Sequence, residues 1–205
     1  GGATVKTIGV TGPTGAGKTT ALYALTDLGA HIVDADAVYH GLLANSISLR
    51  EALTARFGEH ICGEGGTIDR KRLGNLVFDD PEALADLNTI THRFVGEEID
   101  RQLREAEAGG RPAAAIDAIA LIESGLGRRC DAVVGVLAPA ELRVRRIMDR
   151  EGIPEDYARK RVSAQKGEDF FRSHCDYILE NDEGDTPETF RLRARALFAG
   201  LLNAK

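Results

Sequence analysis

The sequence predicts an α/β fold: a five-stranded parallel sheet flanked by helices, in strand order 2-3-1-4-5, with a helical insertion and a helical lid. Three observations lead there. Short runs of small apolar or β-branched residues recur along the chain, as expected of strands covered on both faces. The first of them runs straight into a glycine-rich turn and a helical pattern, and strand-helix-strand alternation makes neighbouring strands parallel. From Ser46 to about Ala108 the periodicity turns wholly helical, which marks an insertion and not more sheet.

Taken in order, Thr7-Ile8-Gly9-Val10-Thr11 is the first strand, and a helix from about Lys18 to Leu28 ends at Gly29, a residue suited to a left-handed stop. His31-Ile32-Val33 is the second strand, leading into Asp34-Ala35-Asp36, with the next helix starting at the second aspartate. The insertion opens with a capping box at Ser48-Leu49-Arg50-Glu51 and has further helix starts at Asp69 and Asp80-Pro81. Ala113 to Ile119 and Ala132 to Leu137 supply two central strands, the first interrupted by Asp117. Two basic helices, separated by Gly152-Ile153-Pro154, follow between Pro139 and Lys166. Tyr177-Ile178-Leu179-Glu180 is the fifth strand, and Thr186-Pro187 caps a closing amphipathic helix that carries Phe190, Leu197, Leu201 and Leu202.

Composition bounds the function. The chain has 205 residues, enough for one globular core with an insertion, and its 28% of charged residues leaves no window apolar enough to cross a bilayer. A net charge of −6 opposes generic nucleic-acid binding, which needs a basic face, so an anionic ligand calls for a local cluster of donors. Cys62, Cys130 and Cys175 lie far apart without any Cys-x-x-Cys pair, so neither a disulfide framework nor a zinc knuckle is expected, and the cytoplasm is the expected compartment. Gly1-Gly2-Ala3, without Met, reads as an expression remnant, and no export signal is expected.

The strongest chemical statement is Gly12-Pro13-Thr14-Gly15-Ala16-Gly17-Lys18-Thr19, an eight-position phosphate-loop pattern set between a strand and a helix. Glycines let backbone amides converge on phosphate oxygens, while the following helix turns its positive end to the same anion. Lys18 is expected to reach the β- and γ-phosphates of ATP and Thr19 to offer its hydroxyl to Mg²⁺. Asp34 and Asp36 stand at the C-terminal end of the second strand, the edge where open parallel sheets bind ligands, and one of them suits acceptance of a proton from an attacking alcohol. The plainer alternative has Asp36 capping the next helix and Asp34 solvated. The arginine-rich hairpin suits a lid over the triphosphate, although most of its arginines are expected to be solvated and paired with Glu141, Asp149, Glu151, Glu155 and Asp156. His92, among Ile90, Phe94 and Val95, reads by default as a partly buried, satisfied histidine.

These residues together resemble a family. The loop after Thr11, Asp34-Ala35-Asp36, the Asp117 strand with Leu121-Ile122-Glu123-Ser124-Gly125-Leu126, then Arg145-Arg146 and Arg161-Val162-Ser163-Ala164-Gln165 stand in the order seen in dephospho-CoA kinases, from Ile8 to about Asn181. The loop is shared by many kinases, whereas Asp-Ala-Asp sixteen residues after the lysine, combined with Glu-Ser-Gly-Leu, is distinctive. The resemblance implies phosphorylation of the ribose 3′-hydroxyl of dephospho-CoA by ATP with Mg²⁺, giving CoA and ADP. It implies Asp36 as general base, Arg146 as the lid arginine on the nucleotide phosphates, Gly12 to Thr20 with Asn181 as ATP contacts, and Asp34, His92, Asp117, Glu123 and Arg161 at or near the acceptor. On that reading the single kinase chain has a core of 5–45, 109–139 and 174–205, an acceptor-binding subdomain of about 46–108 and a lid of about 140–173, and is a monomer or small homo-oligomer. Departures stand at Pro13-Thr14, where the family usually has a pair such as Gly-Ile, at Ile119-Ala120 in place of Pro-Leu, and at Arg93 in place of proline. The alternatives are another P-loop nucleoside, nucleotide or small-metabolite kinase, or a nucleotide-sensing regulatory ATPase.

Overall fold

The computed structural model describes residues 5–204; the remnant expected at Gly1-Gly2-Ala3 lies outside the described residues. Five strands, β1 (Thr7–Thr11), β2 (His31–Asp34), β3 (Ala114–Asp117), β4 (Ala132–Leu137) and β5 (Tyr177–Glu180), form one parallel sheet in the expected order 2-3-1-4-5. Nine α-helices are described: α1 (Lys18–Asp27), α2 (Ala35–Asn45), α3 (Ile47–Phe57), α4 (Arg70–Val77), α5 (Pro81–Ala108), α6 (Ala140–Glu151), α7 (Glu155–Ala164), α8 (Glu168–His174) and α9 (Pro187–Asn203). The chain divides into two compact units, residues 1–33 with 103–205, and residues 34–102. No helix among the described residues is long and apolar enough to cross a membrane.

In the first unit β1 and β4 are buried at every position, so their sequences need no polar-apolar alternation. β1 pairs with β3 on one side and β4 on the other, placing Val10 opposite both Asp117 and Val134. The three strands therefore end together, and whatever follows Thr11 emerges between Asp117 and the end of β4. Helices α1 and α9 pack against each other through Ala21, Ala24 and Leu25 on one and Phe190, Ala194 and Phe198 on the other. Phe190 and Phe198 are fully buried, so each is worth about 3–5 kcal/mol relative to alanine.

The turn from β5 into α9 is tied by Asp185. Its carboxylate accepts from both terminal nitrogens of Arg193, at 2.9 and 2.6 Å, from the Asp182 amide at 2.9 Å and from the Thr189 hydroxyl at 3.1 Å. The Arg193 bonds, followed by the Asp182 amide, hold its pKa well below the usual carboxylate range. Because the folded value is depressed, the stabilisation is present above the unfolded value of about 3.9 and is lost as pH falls through the folded value. Asp185→Asn should lower the melting temperature at pH 7 by about 2–4 °C, what about 1 kcal/mol from a solvent-screened pair gives at this size. The difference from wild type should shrink in melts recorded below about pH 4.

The second unit has its own core, built from Leu49, Leu53 and Phe57 of α3, Leu73 and Val77 of α4, Ala83 and Leu87 of α5, with Leu43, Ile61 and Ile68. Three local expectations change here. Asp34, not Asp36, caps α2: with φ −85° and ψ 105° it is extended, and its carboxylate accepts from the amides of Asp36 (3.0 Å) and Ala37 (3.1 Å). Likewise Ser46, not Ser48, caps α3, its hydroxyl accepting from Leu49 N at 3.1 Å. The stretch between α3 and α4 is not helical throughout: it holds two 3-10 turns and an antiparallel bridge between Cys62 and Ile68, because Gly58, Gly65 and Gly66 take positive φ. Asp69 and Asp80 do cap the helices expected after them, accepting from Arg72 N and Ala83 N, each at 3.0 Å.

Candidate active site

The loop from Gly12 to Gly17 joins β1 to α1 where the sheet leaves no room for side chains. A Cβ on Gly12 (φ 150°) would stand 2.3 Å from the Val136 carbonyl oxygen, and one on Gly17 (φ 106°) 2.3 Å from the Asn181 amide nitrogen. The helix it opens has no side-chain cap at Gly17, so its first-turn amides, which have no intrahelical partner, face outward as donors. That is the fixed positive cradle an anion needs.

The carbonyls of the same loop point the other way and are held there. Arg143 Nε donates to Thr14 O at 2.9 Å, Arg146 Nη1 donates to Gly15 O at 3.1 Å, and Asn181 Nδ2 donates to Ala16 O at 3.0 Å. Turning the carbonyl oxygens into the protein removes their negative ends from the anion side. Burial first, and then the neighbouring charge of Arg145, pulls the Arg146 pKa down from its ordinary value, with Asp185 opposing; burial alone does the same to Arg143. Both stay cationic at neutral pH, as guanidinium groups do in proteins.

Lys18, the first residue of α1, places its ammonium 2.6 Å from Asp117 Oδ1, with side chains only 19% and 15% exposed. Oδ1 is buried and has no well-aligned hydrogen bond, and among the described residues the Lys18 ammonium compensates its charge. Asp117, which the resemblance assigns to the acceptor site, lies beside the phosphate-loop lysine, as follows from β3 lying next to β1.

The other expected residues fall as follows. Thr19 is exposed and Thr20 half-buried on the first turn of α1, with Asn181 buried beneath the loop. Asp36 is exposed on the first turn of α2, while the Asp34 carboxylate is occupied as that helix's cap. His92 is exposed on α5 and not partly buried, because the buried face there is formed by its neighbours Thr91 and Val95. Glu123 is exposed in the turn after β3. Arg161 pairs with Glu151 within the hairpin, as Arg159 pairs with Glu141 (2.7 Å) and Glu155 (2.9 Å), and Arg145 pairs with Glu183 at 2.5 Å. Thus Lys18, Asp117, Arg146 and Asn181 converge on the loop in the first unit, and Asp34, Asp36 and His92 belong to the second.

Sequence reasoning did not single out Arg143. It is buried on α6 in phase with Val144 and Ile147, and that helical spacing separates it from its solvated neighbours. Gln165, which follows α7 and bonds to both Arg143 and Thr14, entered only as part of a motif.

The family model for dephospho-CoA kinase (CoaE) matches residues 6–186. The chain belongs to the dephospho-CoA kinase family. A dephospho-CoA kinase of Corynebacterium glutamicum is 36% identical over 96% of this chain and 97% of its own length. That of Aromatoleum aromaticum is 34% identical over 94% of each. The crystal structure of TT1252 from Thermus thermophilus is similar over 99% of this chain and 100% of that one, at 32% identity and a TM-score of 0.77. A Campylobacter jejuni dephospho-CoA kinase, 22% identical with a TM-score of 0.58 over 96% of this chain and 97% of that one, shares the fold.

Proposed function

We infer that this chain transfers the γ-phosphoryl group of ATP to the ribose 3′-hydroxyl of dephospho-CoA, giving CoA and ADP. The observation that carries this is the loop whose Thr14, Gly15 and Ala16 carbonyls are held by side chains and whose uncapped helix amides remain for a polyphosphate, in a chain of this family. The family's own name supplies the acceptor.

In this reading the loop amides and Lys18 hold the β- and γ-phosphates, and Arg146 stabilises charge spreading over the transferred group. Asp36 accepts the proton of the 3′-hydroxyl as its oxygen attacks the γ-phosphorus and the bond to the bridging oxygen of ADP breaks. The Thr19 hydroxyl and the Asp117 carboxylate are hard oxygen donors at the loop that would hold Mg²⁺, which would supply neutralisation of the charge on the transferred group. The acceptor is assigned to the helical residues of about 46–108, and the hairpin of about 140–173 excludes water. Cytoplasmic placement suits the three free cysteines.

Release of ADP measured against a panel of acceptors tests the reading. Saturable turnover with dephospho-CoA, and at least about 100-fold lower kcat/KM with adenylate, adenosine and shikimate, is the expected result, since a site built to hold the whole acceptor rejects its fragments. Preference for any of the other three would assign a different acceptor, and ATP hydrolysis indifferent to all four would make the chain a regulatory ATPase.

A further inference from the structure

In the phosphate loop, Thr14 is held by side chains at both its amide and its carbonyl. The Thr14 carbonyl accepts from Arg143 Nε at 2.9 Å, and the Thr14 amide donates to Gln165 Oε1 at 3.2 Å. The same Oε1 accepts from Arg143 Nη2 at 2.5 Å, and Gln165 Nε2 donates to the Thr14 hydroxyl at 2.8 Å. The three bonds to Gln165 fix its amide in one orientation, since its oxygen faces two donors and its nitrogen an acceptor. Arg143 is only 7% exposed, and α6 runs so close that a Cβ on Gly15 would meet the Arg143 carbonyl at 3.0 Å.

A consequence is that the Thr14 amide does not face the anion side at all. The Ala16 amide is turned back as well, to Pro13 O at 3.3 Å. The donors left for phosphate begin at Gly15 and continue through Gly17, Lys18 and Thr19. We propose that Arg143 and Gln165 are positioning residues for ATP: by holding the amide and the carbonyl of Thr14 away from the anion, they fix where the phosphate cradle begins, without touching the nucleotide themselves. Gln165 directly follows α7 and Arg143 lies on α6, so the hairpin and the loop are held in one arrangement through these two side chains. The inference rests on the reading of the loop as the ATP site and on nothing about the acceptor.

Gln165 is half-buried and lines a cavity of about 590 Å³ with Pro13, Pro139, Arg143, Ser163 and Lys166, so its side chain can be changed without overpacking. Gln165→Met keeps the length and deletes the amide; Thr14→Val keeps the shape and deletes the hydroxyl; Thr14→Ser restores that hydroxyl. Calorimetric titration with ATP reads binding directly, so its result stands whether or not dephospho-CoA is the acceptor. Gln165→Met should weaken ATP binding and raise the KM for ATP about 5- to 20-fold, with the KM for dephospho-CoA within about twofold of wild type. Thr14→Val should weaken ATP binding by a smaller factor, Thr14→Ser should bind as wild type does, and the double variant Thr14→Val/Gln165→Met should be no weaker than Gln165→Met alone. Unchanged ATP affinity in Gln165→Met, an equal rise in both KM values, or multiplicative losses in the double variant would overturn the proposal. Absence of turnover on dephospho-CoA with these affinities intact would defeat the acceptor assignment and leave it standing.

Discussion

Asp36→Asn should lower kcat by a factor on the order of 10² to 10⁴ while leaving ATP affinity within about twofold of wild type, the signature of a lost general base that does not touch the nucleotide. The structure sharpens this expectation through the neighbouring carboxylate. Asp34 accepts from the amides of Asp36 and Ala37 and closes the first turn of α2. A carboxylate committed to two backbone donors is poorly placed to take a substrate proton as well. Asparagine caps helices about as well as aspartate does, so Asp34→Asn should keep both fold and most of the turnover. The two variants, with ADP release measured under saturating ATP and acceptor, form a paired test. A large loss in Asp34→Asn with near-normal turnover in Asp36→Asn would exchange the two roles and refute the assignment.

Much of the fold was legible because its determinants are local. The runs at Thr7–Thr11 and Ala132–Leu137 are apolar without alternation, which only a strand covered on both faces requires, and each is buried along its length. The phosphate loop was legible for the same reason, since its glycines are demanded by contacts within a few ångströms of the turn. Caps were harder to place. Ser46 and Ser48 both precede a helical pattern, and the choice falls to Ser46 because Leu49 and Leu53 must face the core of the second unit from that start. His92 was misjudged by one helical step: Thr91 and Val95, four residues apart, form the buried stripe, which turns His92 outward.

The chemistry of the site was legible where it follows sequence order and obscure where it depends on strand order or helical phase. Asp117 stands out in the sequence as a charge at the end of an apolar run, yet its partner follows only from β3 lying beside β1, more than a hundred residues away in the chain. Among the basic residues of the hairpin, charge alone does not separate Arg143 from Arg145 or Arg159. Phase does: Arg143 shares the buried side of α6 with Val144 and Ile147, whereas Arg145 and Arg159 are exposed and paired with glutamates. An arginine kept on an apolar face must have a reason to be there, and here it is the Thr14 carbonyl.

Lys18→Ala should reduce kcat about 10²- to 10³-fold and weaken ATP binding, since it deletes the point charge on the phosphates in a partly desolvated site. It has a second effect that a purely catalytic lysine would lack. The Lys18 ammonium is the compensation of the buried Asp117 Oδ1, so its removal leaves a carboxylate without a partner and should lower stability by about 1–3 kcal/mol. Adding Asp117→Asn to Lys18→Ala removes that stranded charge, and the double variant should regain most of the lost stability while staying inactive. Thermal melts and ADP release on the four members of the cycle separate the two effects. If Lys18→Ala melted like wild type and the second substitution made no difference, the Lys18–Asp117 pair would contribute nothing to the fold. If instead Lys18→Ala retained ATP affinity, the lysine would not be on the phosphates, and the cradle formed by the loop amides would have to bind the nucleotide alone.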